Sequence, residues 1–141
     1  MPIAEVVYSD EVYDLAILKF TCSDSYGVLN IASSSPAFKD QVAIISSPLS
    51  EGRNEITYGT VTSRKPVKFG DANGENQRSI IRTSAYANVG SSGSVLLNKQ
   101  SEIAGIVLGG GRDIFNNFRY SMIIPAHEIN DFITTWQSSK K

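Results

Sequence analysis

One histidine and one cysteine, His127 and Cys22, stand in a chain of 141 residues. A single cysteine excludes an internal disulfide framework and a cysteine-rich metal site, and Cys22 reads as a small half-buried thiol. No metal site and no organic cofactor are expected. An excess of one charge is missing as well: the formal net charge is −1, with lysine and arginine scattered along the chain. This excludes the basic stripe of a nucleic-acid binder and the polybasic face that holds an anionic membrane; Lys140 and Lys141 are too few for a basic tail. No apolar run approaches the ~20 residues of a membrane-crossing helix. Met1–Ala4 lacks the basic start and apolar core of a secretory leader, and the compartment is left open. What remains is one domain, or a piece of a larger one, whose 41% hydrophobic residues suffice for a core.

The period of that hydrophobic pattern is mostly two. Strands are predicted at Ala4–Tyr8, Leu15–Phe20, Gln41–Ile45, Ile56–Thr62, Ser79–Thr83, Ser94–Leu97, Ile103–Leu108 and Tyr120–Ile124. They are short, rich in β-branched residues and bounded by Ser, Gly, Asn, Asp or Pro, the signature of an antiparallel barrel or sandwich. Asn98–Ser101 reads as a hairpin turn. Lys68–Gln77 and Gly109–Asn117 read as polar, glycine-containing loops. One helix is predicted at the end, with Pro125 in its first turn and Ile129, Phe132, Ile133 and Trp136 on one stripe.

The chemistry concentrates in Asn88-Val89-Gly90-Ser91-Ser92-Gly93-Ser94. Taken alone, a serine–glycine cluster is usually a loop. Followed at once by the apolar Val95-Leu96-Leu97, it also supplies what a nucleophilic serine needs: an exposed hydroxyl, a backbone open to close approach, and amides free to meet an oxyanion.

Four ordered stretches resemble the trypsin-like, chymotrypsin-fold serine proteases, most closely their HtrA/Deg branch. Asp14-Leu15-Ala16-Ile17-Leu18-Lys19, entered from Ala4–Asp10, resembles D-L-A-x-L-K. Val42–Leu49 followed by Ile56–Arg64 resembles G-x-P-x-G … T-x-G-x-V-S. Thr83–Ser94 resembles T-D-A-x-x-N-P-G-N-S-G-G, and Glu102–Val107 resembles the strand that lines the substrate cleft. The resemblance implies an all-β fold: a chymotrypsin-like six-stranded antiparallel β-barrel with a C-terminal helix, the second barrel complete and the first partial. The implied division is 1–34 for the first-barrel remnant with the Asp strand, 35–124 for the second barrel with the serine, and 125–141 for the helix.

The same resemblance assigns the site. Ser92 is the nucleophile, the amides of Gly90 and Ser92 form the oxyanion hole, and Asp14 orients the base. Leu108, Gly109 and Gly110 pair with substrate backbone. Tyr86 falls at the base of the specificity pocket, unless it is an ordinary barrel tyrosine. Ser94 stands where the family has a second glycine. Ser91 stands where zymogen-activated relatives have an Asp, so that mode of activation is not expected. The family's catalytic histidine precedes its Asp, whereas His127 follows it and is expected on the surface of the last helix. The parent activity is endopeptidase acyl transfer on polypeptide substrates, with the isolated chain inactive. The alternative is a non-catalytic protease fold used for binding or assembly, and a barrel that only mimics the motif is a third. Strands that have lost first-barrel partners expose edges, so a homo-oligomer, most simply a dimer, is expected through the N-terminal strands. No nucleic-acid or membrane partner is expected.

Overall fold

Alternation builds the barrel. In β3 (Gln41–Ser46), Val42, Ile44 and Ser46 are buried while their neighbours are not, because successive side chains on a strand face opposite sides. The computed structural model describes residues 3–47, 54–64, 67–68, 77–88 and 90–140. It contains ten strands and one helix among those residues. β1 (Glu5–Asp10) and β2 (Leu15–Lys19) form a separate hairpin. A closed antiparallel barrel follows, in the order β10-β7-β4-β3-β8-β9. Its remaining members are β4 (Glu55–Ser63), β7 (Ile81–Thr83), β8 (Val95–Leu97), β9 (Ile103–Arg112) and β10 (Phe118–Pro125). The two-residue strands β5 (Val67–Lys68) and β6 (Gln77–Arg78) pair with each other. They bracket most of the predicted loop Lys68–Gln77, whose residues 69–76 lie outside the described residues. So do Pro48 and Leu49 of the second stretch of resemblance, and Val89.

The barrel interior is filled by Val42, Ile44, Val61, Ile81, Leu96, Val107 and Ile123, with Ala85, Ala87 and Ala104 where space is short. Burying one such Leu or Ile contributes about 1.5–3 kcal/mol. A second apolar cluster lies on the other face of β9 and β10, where Ile80, Ile124 and Ile129 gather Leu15, Ile31, Leu108, Met122 and Ile133. It joins hairpin, barrel and helix in one seam. Across the top of β7, the Arg82 guanidinium carbon stacks 4.2 Å from the Tyr120 ring centroid. Its buried Nε has no hydrogen-bond partner among the described residues.

The helix α1 (Ala126–Ser139) buries Ile129 and Phe132 of its predicted stripe, with Ala126 beside them, and half-buries Ile133 and Trp136. Phe132 receives the rings of Tyr8 and Tyr13 at centroid distances of 5.2 and 5.5 Å, and so ties down the hairpin. Pro125 is extended, with φ −76° and ψ 162°. It therefore ends β10 and precedes the helix instead of occupying the predicted first turn. Pro125 offers no capping side chain, and Ser35 supplies the cap from a distance. Its Oγ accepts the His127 amide at 3.1 Å and lies 2.8 Å from His127 Nδ1. The same hydroxyl bonds both the backbone and the ring of His127, donating to Nδ1 or accepting from it according to the ring's tautomer. The only histidine is thus half-buried and committed to Ser35.

One predicted loop is largely strand. β9 continues through Gly109-Gly110-Gly111 to Arg112, because these residues ladder with Met122, Ser121, Tyr120 and Phe118 of β10. At Gly111 a Cβ would meet the Tyr120 ring at 2.2 Å. The glycine is there so that the aromatic ring can lie on the backbone.

Candidate active site

Two small hydrogen-bonded loops shape the turn between β7 and β8. The Asn88 amide donates to Ser91 Oγ at 3.0 Å, and the Ser91 amide donates back to the Asn88 carbonyl at 2.9 Å. The Ser94 amide then donates to the Ser91 carbonyl at 3.0 Å. Ser91 is 2% exposed and acts as the internal knot of the turn. Gly90 and Gly93 have φ of 90° and 88°, a region open to glycine and strained for other residues. Between them Ser92 is exposed. Its hydroxyl donates to the Leu108 carbonyl at 3.2 Å. The amides of Gly90 and Ser92 donate to no acceptor among the described residues. Beneath the turn, Thr83 Oγ1 and Ser121 Oγ are hydrogen-bonded inside the barrel, and Thr83 Oγ1 accepts the Ala85 amide at 3.2 Å.

The Leu108 carbonyl is available because β9 is bulged there. Val107 pairs with Ile123 and Gly109 with Met122, so Leu108 has no partner on β10. A bulge re-aims the extra residue. On the opposite side, β8 pairs with β9 only as far as Val95 opposite Ile106. The Gly93 and Ser94 bonds to Val107 end that contact. From Leu108 to Arg112, β9 therefore presents an edge with no strand partner among the described residues, and that edge begins at Ser92.

Tyr86 is 40% exposed and stands edge-on to Phe118, with centroids 5.0 Å apart. A Cβ on Gly110 would lie 3.7 Å from Phe118 and 3.6 Å from the Ala87 carbonyl. Tyr86, Gly110 and Phe118 thus border one shallow surface beside the bare edge. The sequence reading gave Phe118 no role and missed the Asn88–Ser91 knot; both depend on register, which composition does not carry. A hollow of about 650 Å³ lies elsewhere, between β1, β2 and Trp136, and shares no lining residue with the Ser92 turn. A strand edge is an open surface, so the polar geometry is a better guide to the site than volume.

The profile of the trypsin-like peptidase domain matches residues 3–106. The chain belongs to the trypsin-like peptidases. Within them it sits with the HtrA branch. It is 33% identical over 106 residues to the serine protease Do-like HtrA of Bacillus subtilis, covering 73% of this chain and 24% of that protein. It is 37% identical over 108 residues to the HtrA of Lactococcus lactis strain IL1403, covering 73% and 26%. The chain thus spans about a quarter of the length of these curated relatives. In solved structures it is similar to the MamO protease domain of Magnetospirillum magneticum, with TM-score 0.73, 22% identity and coverage of 92% of this chain and 66% of that one. It is also similar to the active form of the Rv3671c protease of M. tuberculosis, with TM-score 0.76, 21% identity and coverage of 91% and 56%. At these identities the two structures speak for the fold.

In this trypsin-like peptidase domain, neither Asp14 nor His127 hydrogen-bonds to the serine turn among the described residues. Asp14 is exposed at the β1–β2 turn with φ 57°, its amide bonded to the Asp10 carbonyl at 2.9 Å. Its carboxylate makes no hydrogen bond among the described residues. Its neighbours Tyr13 and Leu15 are anchored on Phe132 and on the cluster that includes Leu108. His127 faces Ser35, so no imidazole bonds to Ser92. No group of metal-ligating residues occurs among the described residues. At the β9–β10 turn the Asn117 amide above all holds the Asp113 carboxyl below the usual aspartate range; partial desolvation opposes it, and the Phe115 amide adds to the lowering.

Proposed function

We propose that this chain supplies the nucleophile half of a serine endopeptidase that cleaves polypeptides through an acyl-enzyme. Ser92 Oγ attacks the scissile carbonyl and gives up its proton to an imidazole. The oxyanion that forms is met by the amides of Gly90 and Ser92. The C–N bond breaks as the imidazolium protonates the departing amine, and water then hydrolyses the Ser92 ester. Leu108, Gly109 and Gly110 hold the substrate as an added strand, with Tyr86 at the base of the pocket for the side chain next to the cleaved bond. Asp14 orients the imidazole, and β1–β2 corresponds to the family's last first-barrel strands.

The observation that supports this most is the position of Ser92: exposed, flanked by two positive-φ glycines, and hydrogen-bonded to the first residue of the bare β9 edge. The imidazole has to come from outside this chain, since its one histidine is engaged with Ser35. That engagement also favours a second reading, a protease fold retained for binding or assembly. Casein hydrolysis by the purified chain separates these from their rivals. No turnover is expected. Robust turnover lost in both Ser92→Ala and His127→Ala would overturn the assignment of the base.

Assembly belongs to the same proposal. Among the described residues β1 and β2 pair only with each other; Val6 and Leu18 are exposed on them, and Phe20 just beyond β2. Bare apolar edges recruit further strands. A homodimer through this hairpin should appear by light scattering, and a monomer over a wide concentration range would contradict it.

A further inference from the structure

The tip beyond β9 carries two large apolar side chains in water. Ile114 is 93% exposed and Phe115 is 77% exposed. Such residues are commonly tolerated singly, but adjacent ones at a hairpin tip form a patch. The tip is also built to a fixed shape. Asp113 Oδ1 accepts the amides of Phe115 and Asn117, both at 2.9 Å. The Asp113 amide donates to the Asn117 carbonyl and the Asn116 amide to the Asp113 carbonyl, both at 3.0 Å. Arg112 Nη1 donates to the Asn116 carbonyl at 3.1 Å, and Asn116 takes φ 64°. Preordering removes much of the entropy that a flexible apolar loop would lose on binding.

The position of the tip says what it would hold. The bare edge of β9 starts at Leu108, beside Ser92, and runs without a partner strand to Arg112, from which the tip follows directly. A polypeptide added antiparallel to this edge runs toward Ser92, so its residues on the acyl side of the scissile bond lie along β9. Residues opposite Leu108, Gly110 and Arg112 are successively two positions further upstream. The tip lies past Arg112, which places it opposite residues about five to seven positions before the bond.

We propose that Ile114 and Phe115 form a distal subsite that binds an apolar side chain of the substrate polypeptide about six residues upstream of the scissile bond. This rests on the reading of β9 as the substrate edge. It adds a second specificity contact, past the Tyr86–Phe118 pair, that selects substrates by an apolar side chain well upstream of the bond.

The test is binding, and needs no turnover. Fluorescein-labelled peptides of serine and glycine end in Ala-Val, with one leucine about two, six or ten residues before that end. Affinity is followed by anisotropy, and amide shifts of Leu108, Gly109 and Gly110 report the edge. The peptide with leucine about six residues upstream should bind about tenfold more tightly than the others, and Ile114→Ser/Phe115→Ser should remove that advantage. Both side chains are exposed, so the double variant should keep the wild-type urea midpoint. Edge shifts with no dependence on leucine position, or with an advantage that survives the double substitution, overturn the subsite and leave the edge standing. Absence of edge shifts overturns both. Concentration-dependent dimerisation abolished by the double variant, without peptide selectivity, would assign the tip to a second copy of the chain and overturn the proposal.

Discussion

The barrel and the β1–β2 hairpin are both antiparallel and short-stranded, yet they stand on different footings. Every barrel strand has two neighbours, and its interior is closed around Ile44, Leu96 and Ile123, all at 0% exposure. The hairpin has one ladder and no interior. It is held by Tyr8 and Tyr13 on Phe132 and by Leu15 in the outer seam. A closed sheet satisfies its own backbone, and an open one borrows from its surroundings. The difference divides the proposed catalytic parts. Ser92, the Gly90 and Ser92 amides and the β9 edge belong to the self-sufficient barrel, whereas Asp14 belongs to the dependent hairpin.

Equal truncations in the two regions should have unequal effects. Leu96→Ala in the barrel should cost about 2–5 kcal/mol in urea unfolding. Leu18→Ala on the hairpin, where the side chain is 57% exposed, should cost less than about 0.5 kcal/mol. Equal losses would mean that the hairpin is as much core as the barrel. Next comes the support under the nucleophile turn. Thr83→Val removes the hydroxyl that accepts the Ala85 amide and bonds Ser121 Oγ, leaving Ser121 only its longer 3.4 Å bond to the Thr83 carbonyl, and should destabilise by about 1–3 kcal/mol. Faster exchange at Ala85, with Tyr8 and Ile17 amides unchanged, is the accompanying signature.

Much of the barrel was legible because strand alternation is local. β3, β4, β7, β8 and β10 fall close to their predicted spans, and the helix stripe of Ile129 and Phe132 is buried as its period requires. What could not be read depends on distant partners. Glycine and proline near a turn usually end a strand, but Gly109–Gly111 remain in β9 because Phe118 and Tyr120 of β10 lie against them. His127 looked like a surface residue because nothing near it in sequence contacts it; its partner Ser35 is 92 positions away. The serine turn was legible through its glycines, and the Ser91 knot that shapes it was not.

A smaller effect probes the joint between the two regions. Ser35→Ala removes the only side-chain acceptor of the His127 amide among the described residues. It should cost about 1 kcal/mol by loss of the cap, measured as a lower urea midpoint, with the barrel fold retained. No change in midpoint would mean that water caps this helix equally well. Smallest is the acid response of the β9–β10 tip. The Asp113 carboxyl titrates below its unfolded value of about 3.9, so its contribution is complete above that value and is lost as pH falls through the lower folded value. Phe115 and Asn117 amide exchange, corrected for intrinsic pH dependence, should rise only in that acidic range. Loosening at neutral pH would contradict the clamp.

On the proposed reading the barrel alone makes a serine site, and the chain contains no base for it. Fluorophosphonate labelling tests this most directly, by comparing rates in wild type, Ser92→Ala and His127→Ala with the modified peptide identified by mass spectrometry. Slow labelling confined to Ser92 is expected, absent in Ser92→Ala and unchanged in rate in His127→Ala. Labelling of another serine, or a rate at Ser92 that collapses in His127→Ala, would contradict it.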